Sequence, residues 1–227
     1  MNRTPIIVSW SGGKDSSLAL AAARADPRLE VVGLLTSITE DYDRISIHGV
    51  RRSLLVEQAR LLDLPLHEIV IGANASNASY EAAFHKALDT LRRKESSARH
   101  IAFGDLFLAD VRNYREELLA GTEFEPVFPL WGLDTAQLAR HFISEGFLAH
   151  LVCVDTTQLD AAFVGRRFDL NFLADLPQTV DPCGERGEFH TFVYGGPIMT
   201  ESIECQRGEI ILRDNRFAYC DFFPADL

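Results

Sequence analysis

The chain has 227 residues, 47% apolar and 24% charged, which is ordinary for a globular protein and long enough for a substantial core. With 22 basic against 33 acidic side chains the net charge is −11, which argues against broad nucleic-acid binding through phosphate neutralisation, a local basic patch apart. No run of 18 apolar residues is present to span a membrane, the first apolar run is too short for a signal peptide, and Cys153, Cys183, Cys205 and Cys220 form no Cys-x-x-Cys pair, so free thiols in a reducing cytoplasm are expected.

Ile6-Ile7-Val8 reads as a buried parallel strand, and Leu18–Arg24 reads as a helix. Between them lies Ser9-Trp-Ser-Gly-Gly-Lys-Asp-Ser-Ser17. A tight turn there aims backbone N–H groups at one point. Gly12 and Gly13 lack a Cβ, so an anion can approach the main chain. The helix dipole adds partial positive charge, Lys14 adds a full one, and Ser11 and Ser16 add hydroxyl donors. Together these make a phosphate cradle. It is not the GTPase loop, which needs four residues between its glycines and Lys-Ser/Thr after the second.

Leu29–Thr36 is the next strand, running into a polar loop over Ser37–Asp43. Ligands of doubly wound sheets sit at the carboxyl ends of strands, so Leu35 and Thr36 should border the cradle. Gly49–Leu62 has a helical stripe of Leu54, Leu55, Ala59 and Leu62. His48 and Arg51 at its beginning are either on the ligand side or plain helix-start surface. Leu66–Ile71 is a strand, Asn74–Ser79 a loop or N-cap region, and Tyr80–Arg93 an amphipathic helix. Arg99–Phe103 is a strand ended by Gly104-Asp105, and a helix through Arg112–Leu119 stops at Gly121. Phe124–Trp131 holds two prolines and suits a short edge strand. Alternating strands and helices predict an α/β domain over residues 1–130, a five-stranded parallel sheet with helices on both faces.

From residue 131 a smaller α/β domain is expected, reaching 227. Thr135–Glu145 is a helix closed by Gly146, Phe147–Val154 a strand, and Phe172–Leu176 a short helix before Pro177. Asp181-Pro-Cys-Gly-Glu-Arg-Gly-Glu-Phe-His-Thr-Phe-Val193 gathers acids, a histidine and two glycines, a density that points to a site, with a charged surface hairpin as the alternative. A strand there puts Glu188, His190 and Phe192 on one face and Phe189, Thr191 and Val193 on the other. Ile203–Phe223 reads as a final hairpin around Arg207-Gly208 and Asp214-Asn215.

Ser11-Gly-Gly-Lys-Asp-Ser16 resembles the signature of the N-type ATP pyrophosphatases, or PP-loop enzymes. Together with Gly184-Glu-Arg-Gly-Glu-Phe-His-Thr191 it resembles the diphthine–ammonia ligase family within them. His48-Gly49-Val50-Arg51, Gln58-Ala59, Phe103-Gly104-Asp105 and Phe128-Pro129-Leu130-Trp131 agree, and the likeness runs from Ile6 to about Pro197. The resemblance implies a Rossmann-like (HUP-type) ATP domain, Mg2+ and carboxylate amidation: ATP adenylates an acid, pyrophosphate leaves, and ammonia attacks the acyl-adenylate. The Cys183–Thr191 stretch looks like the version of short bacterial members, whereas eukaryotic and archaeal ligases carry a different acidic stretch. The resemblance thus carries the ATP chemistry and leaves the acid unnamed.

On this reading the nucleotide is held by Ser9, Ser11, Gly12, Gly13, Lys14, Asp15, Ser16, Leu35, Thr36, Gly104 and Asp105. Asp15 binds magnesium or caps the helix, and Asp105 binds magnesium or the ribose or is a turn residue. Lys14 and Asp15 serve pyrophosphate departure. Glu185, Glu188 and His190 serve as an ammonium site or general base. His48, Arg51, Gly184 and Thr191 face the acceptor. The partners implied are a small or protein-borne carboxylate and ammonia, with no membrane, nucleic acid disfavoured, and a homo-oligomer compatible. Two other readings stand. One is sulfur transfer, sulfonucleotide reduction or nucleotide α-hydrolysis, for which Cys183 is the suggestive thiol. The other is a non-catalytic sensor of AMP or ATP.

Overall fold

Strand β1 (Thr4–Ser9) is buried through Ile6-Ile7-Val8 and leads by a glycine turn into helix α1 (Lys14–Ala25). There follow β2 (Leu29–Thr39), β3 (Arg44–Ile45), α2 (Arg52–Leu62), β4 (Leu66–Ile71), α3 (Asn77–Lys94), β5 (His100–Ala102), α4 (Ala109–Leu119) and β6 (Glu125–Val127). The computed structural model describes residues 3–95 and 97–225. Strands β4-β2-β1-β5-β6 lie side by side in that order, all parallel. Counting the parallel strands along the chain, the order is that of the Rossmann arrangement, reversing between β1 and β5. The short β3 adds an antiparallel sixth strand at Ile38 and Thr39, where the pairing of β1, which ends at Leu35, has stopped.

Alternation along β1 sends its apolar side chains to opposite layers. Ile7 joins Phe84, Leu88 and Leu91 of α3 and Leu118 and Leu119 of α4. Ile6 and Val8 join Leu18 and Leu20 of α1 and Leu54 and Leu55 of α2 on the other side. The expected two-faced sheet is therefore present. The second cluster does not stop there. It continues into Phe142 of α5 (Thr135–Ser144), Leu151 and Val154 of β7 (Leu148–Asp155), Phe172 of α6 (Leu170–Asp175), and Phe192 of β8 (Phe189–Gly195). Of these, β7 and β8 belong to an antiparallel sheet, β8-β7-β10-β9, completed by β9 (Cys205–Arg213) and β10 (Phe217–Pro224). One apolar core thus spans both sheets.

Local chemistry sets the helix starts. The Ser76 hydroxyl accepts the Ser79 N–H, Asp134 accepts Gln137 N–H, and Asp169 accepts Phe172 N–H, the usual first-turn caps. Four expectations need correcting. Ser37–Thr39 is strand rather than loop, because β3 and β4 supply partners on both sides. Only Glu125–Val127 of Phe124–Trp131 is strand, and Pro129–Gly132 turns away. Of the Asp181–Val193 stretch, only Phe189 onward is strand, and Asp181–Glu188 is wound into turns. Arg207-Gly208 does not turn the final hairpin. It sits in β9 at a bulge opposite Cys220–Phe222, while Asp214 and Asn215, with φ of 52° and 50°, make the turn. All four cysteines are unpaired thiols.

Candidate active site

The reversal of strand order opens a crevice beyond the carboxyl ends of β1 and β5. A cavity of about 410 Å³ fills it, with Ser9, Ser11, Lys14, Asp15 and Ser16 on one wall, Gly104, Asp105 and Arg115 on a second, and Gly184, Glu185, His190 and Thr191 on a third. A neighbouring chamber of about 520 Å³ shares Ser9, Ser11, His48 and Arg115 with it. That chamber is walled by Leu35, Thr36, Ile69, Tyr80, Phe84 and Tyr114. The first chamber is charged and the second largely aromatic and aliphatic, a division that suits phosphates in one and a flat heterocycle in the other. The Thr36 hydroxyl is buried in the second wall without a hydrogen-bond partner among the described residues.

The turn itself is tied to the C-terminal sheet. Gly12 has φ of +72°, and its carbonyl accepts from Val193 N–H (2.8 Å) and Gln58 Nε2 (3.0 Å). A Cβ there would lie 2.7 Å from Gln58 Oε1, and one on Gly13 would lie 3.0 Å from the Thr191 carbonyl. The glycines therefore admit β8 and Gln58 as close neighbours, a use the sequence reading did not see. Lys14 N–H is spent on Thr191 Oγ1 (3.0 Å), and Gly13 N–H reaches Ser11 Oγ (3.3 Å). Two backbone donors expected for a phosphate are thus engaged inside the protein. Of the side chains, Ser16 Oγ donates to the Gly13 carbonyl (3.0 Å) and lies 3.2 Å from Ser11 Oγ, and Lys14 Nζ lies 2.7 Å from Asp15 Oδ1. Burial alone would lower the Lys14 ammonium; the charge and hydrogen bonds of Asp15, with Cys183 and Glu185 nearby, together reverse this and keep the lysine charged.

The acid-rich stretch divides by role. Asp181 accepts from Cys183 N–H and Thr135 Oγ1. Glu188, 1% exposed, accepts from Asp181 N–H and Arg186 N–H, each at 2.9 Å. These two carboxylates hold the loop's own backbone, and Glu188 does not line the cavity, contrary to its expected catalytic place. The left-handed turns at Gly184 (φ 68°) and Gly187 (φ 81°) carry Glu185 out instead. Its Oε1 accepts from Leu106 N–H (2.8 Å) and Phe107 N–H (3.3 Å), just ahead of α4, and burial pushes its carboxyl above the ordinary glutamate range.

His190 reaches the cavity and packs against His48, ring centroids 4.4 Å apart and planes tilted by 33°. Burial holds His48 down to about 4 and His190 well below its usual value, with Lys14 repelling a proton from both. Two imidazoles so placed can exchange hydrogen bonds with a ligand, and their lowered proton affinity makes each a weaker base than an exposed histidine. Arg51 is not at the site. Its fork is bidentate on Asp221 of β10 (2.6 and 3.1 Å). Thr191 lines the cavity with its hydroxyl spent on Lys14 N–H. Gly104 allows close packing rather than ligand approach alone, since a Cβ would meet the Asp15 carbonyl carbon at 2.8 Å.

Three residues at the site carried no role in the sequence reading. Arg115 faces both chambers, 3.7 Å from Asp105 and over the Phe103 ring. Tyr80 and Tyr114 wall the second chamber. On a helix surface each looks like ordinary amphipathic pattern, and only the sheet order brings them to the crevice. Gln58, fully buried, accepts from Trp10 Nε1 and donates to Val193 and Gly12 carbonyls. Its signal was available as a polar residue inside an apolar helical stripe.

Residues 4–119 match the diphthamide synthase N-terminal domain and residues 134–222 the diphthamide synthase C-terminal domain. Among individual proteins, argininosuccinate synthase of Dictyoglomus turgidum is 30% identical over 117 residues, 46% of this chain, and that of Dictyoglomus thermophilum is 28% identical over the same length. The match spans 30% of the length of those relatives. Among solved structures, the U34-tRNA thiolase NcsA of Methanococcus maripaludis, with its [4Fe-4S] cluster, is similar over 63% of this chain and 58% of its own, at 18% identity and a TM-score of 0.40. No helix among the described residues is long and apolar enough to cross a membrane. Both domain matches fall in chain order over the parts that enclose the crevice, and the chain belongs to the diphthamide synthase family.

Proposed function

We propose that the chain is a carboxylate–ammonia ligase that forms AMP. The observation that carries this reading is the convergence of Lys14 and Asp15 from the first turn with Glu185 from the C-terminal stretch on a single cavity. A carboxylate oxygen of the acid attacks the α-phosphorus, and the bond from that phosphorus to the bridging oxygen breaks. Negative charge grows on the departing pyrophosphate, where Lys14, Arg115 and the Ser11 and Ser16 hydroxyls face it. Ammonia then attacks the acyl carbon with its lone pair, AMP leaves, and the surplus proton passes to Glu185. Burial raises its carboxyl above the ordinary glutamate range, so Glu185 takes a proton more readily than an exposed glutamate.

Among the described residues no group of three His, Cys, Asp or Glu side chains could hold a metal ion. Burial pushes up the Asp15 and Asp105 carboxyls, which line the cavity wall, so a bound cation would relieve both. These two would hold magnesium, and the ion would neutralise phosphate charge there. The sulfur-transfer reading loses support at Cys183. Burial pushes its thiol to about 12, and Sγ donates to the Thr135 carbonyl (3.3 Å), so the nucleophilic thiolate is absent at neutral pH.

Purified protein with ATP, ammonia and a library of organic acids should give AMP and pyrophosphate, separated by chromatography. ADP and phosphate as the main products contradict the proposal. Lys14→Ala should cost roughly 1–3 kcal/mol in ATP binding or cleavage. Bound nucleotide without acid-dependent AMP would favour the sensor.

A further inference from the structure

We infer that the chain seats its acid in a separate pocket beside the nucleotide cavity, and that this acid carries a second anionic group, held by Arg213. The inference rests on the amidation reading and names where the acid sits.

A cavity of about 330 Å³ lies between the turn that joins β2 to β3 and the β9–β10 hairpin, at the small end of the ~300–1,000 Å³ typical of ligand pockets. Strand alternation places Glu209, Ile211 and Arg213 of β9 on one face, with Tyr219 and Asp221 of β10 beside them, and all five line it. Tyr42, Ile45 and Ile47 close the opposite wall. The lining combines these rings and aliphatic side chains with four charged residues, Arg44, Glu209, Arg213 and Asp221.

Those charges are not equivalent. Asp221 is taken by Arg44 (2.8 Å) and by Arg51 (2.6 Å). Arg213 is held differently. Its guanidinium lies 5.2 Å from the Tyr42 ring centroid and 5.9 Å from that of Tyr219, and no carboxylate or hydrogen-bond acceptor among the described residues engages it. Two rings fix the plane of the fork and leave its N–H donors for a ligand, the arrangement a carboxylate takes bidentately. Glu209, four residues back on the same strand face, repels an anion and so directs it to the Arg213 end.

Ile47 joins this pocket to the nucleotide site. It lines the pocket and both chambers of the crevice. It is 72% exposed and has φ of +72°, a strained conformation for a β-branched side chain. Tyr219 holds it there: the hydroxyl donates to the Ile47 carbonyl (3.2 Å), and a Cβ on Gly49 would lie 2.9 Å from the Tyr219 ring. The ring that lines the pocket therefore also fixes the loop that carries His48 into the nucleotide cavity. An acid anchored at Arg213, with its apolar body on Tyr42, Tyr219 and Ile211, passes its other carboxylate over Ile47 to the α-phosphate.

The probe is 1,4-phenylenediacetate, which has two carboxylates on an apolar body, with its uncharged diamide as control. Isoleucine methyl NMR of the full chain should show the diacid shifting Ile45, Ile47 and Ile211, and the diamide leaving them in place. Arg213→Gln should weaken the diacid by about tenfold, as expected for losing a charged hydrogen-bonded pair. Arg213→Lys should fall between, and thermal melts check that both variants fold. In turnover with an accepted acid, the Arg213→Gln defect should fall on the KM of the acid. Absent or scattered methyl shifts, equal binding of the diamide, or full affinity in Arg213→Gln overturns the pocket. Absence of AMP formation in the wild type while the methyl result holds overturns the amidation reading and with it the acceptor role, and leaves an acid-binding pocket standing.

Discussion

Residues of one chemical type were assigned different work by their burial and partners. Three acids crowd Asp181–Glu188, yet Asp181 and Glu188 satisfy backbone N–H groups while Glu185 alone enters the cavity. Its raised carboxyl sets a sign. The base form is the carboxylate, so acid-dependent AMP formation should fall as pH drops through a value above the ordinary glutamate range. A pH profile of kcat/KM checks this, and Glu185→Gln should lower turnover and erase that limb with nucleotide affinity nearly kept. Stability has its own limb. His48 titrates near about 4 in the folded chain and near ~6.5 when unfolded. The unfolded state therefore binds more protons between those values, so stability is full above the upper one and lost as pH falls toward the lower. Urea denaturation across that window should show the decline, and the neutral isostere His48→Gln should reduce it, leaving the part that His190 contributes.

At the level of elements, the turn between β1 and α1 is shaped by what packs on it. Gly104, leaving β5, sits against the first turn of α1, where a Cβ would come within 2.8 Å of the Asp15 backbone. Backbone cannot swing aside as a side chain can. Gly104→Ala should therefore cost about 1–3 kcal/mol and displace Asp15 from the cavity. Urea denaturation reads the first effect and ATP titration the second. A variant with wild-type stability and affinity contradicts the packing argument. Gln58 fixes the other side of the same turn through Trp10, Gly12 and Val193.

Across the whole molecule, the two sheets share one apolar core and meet at the phosphate turn. Val193 N–H donates to the Gly12 carbonyl, and the Thr191 hydroxyl accepts Lys14 N–H. Cutting after residue 130 would strip these partners and expose the layer formed by Ile6, Val8, Leu54 and Leu55. The full chain should therefore unfold in one transition, with fluorescence and circular dichroism midpoints coinciding. A fragment of residues 1–130 should melt without cooperativity. Two separated transitions in the full chain would show that the parts fold independently.

The alternation of strands and helices, the glycine turn and the second glycine-rich stretch were legible from residue order alone. Apolar period and turn chemistry are local properties, and they sufficed for the parallel sheet and for the walls built from Ser11, Lys14, Asp15 and Glu185. The roles of Glu188, Arg51 and Thr191 were not legible, because each depends on a partner far off in the chain or on the direction a loop takes. Arg51 finds Asp221 only when β10 comes to rest beside α2, and Thr191 finds Lys14 only when β8 crosses the turn. Arg115, Tyr80 and Tyr114 occupy ordinary helix positions, and it is the order of strands that decides which helix face looks into the crevice. Sequence fixes what a residue can do by its chemistry, whereas burial and distance, which arise only when remote segments meet, decide which of those things it does.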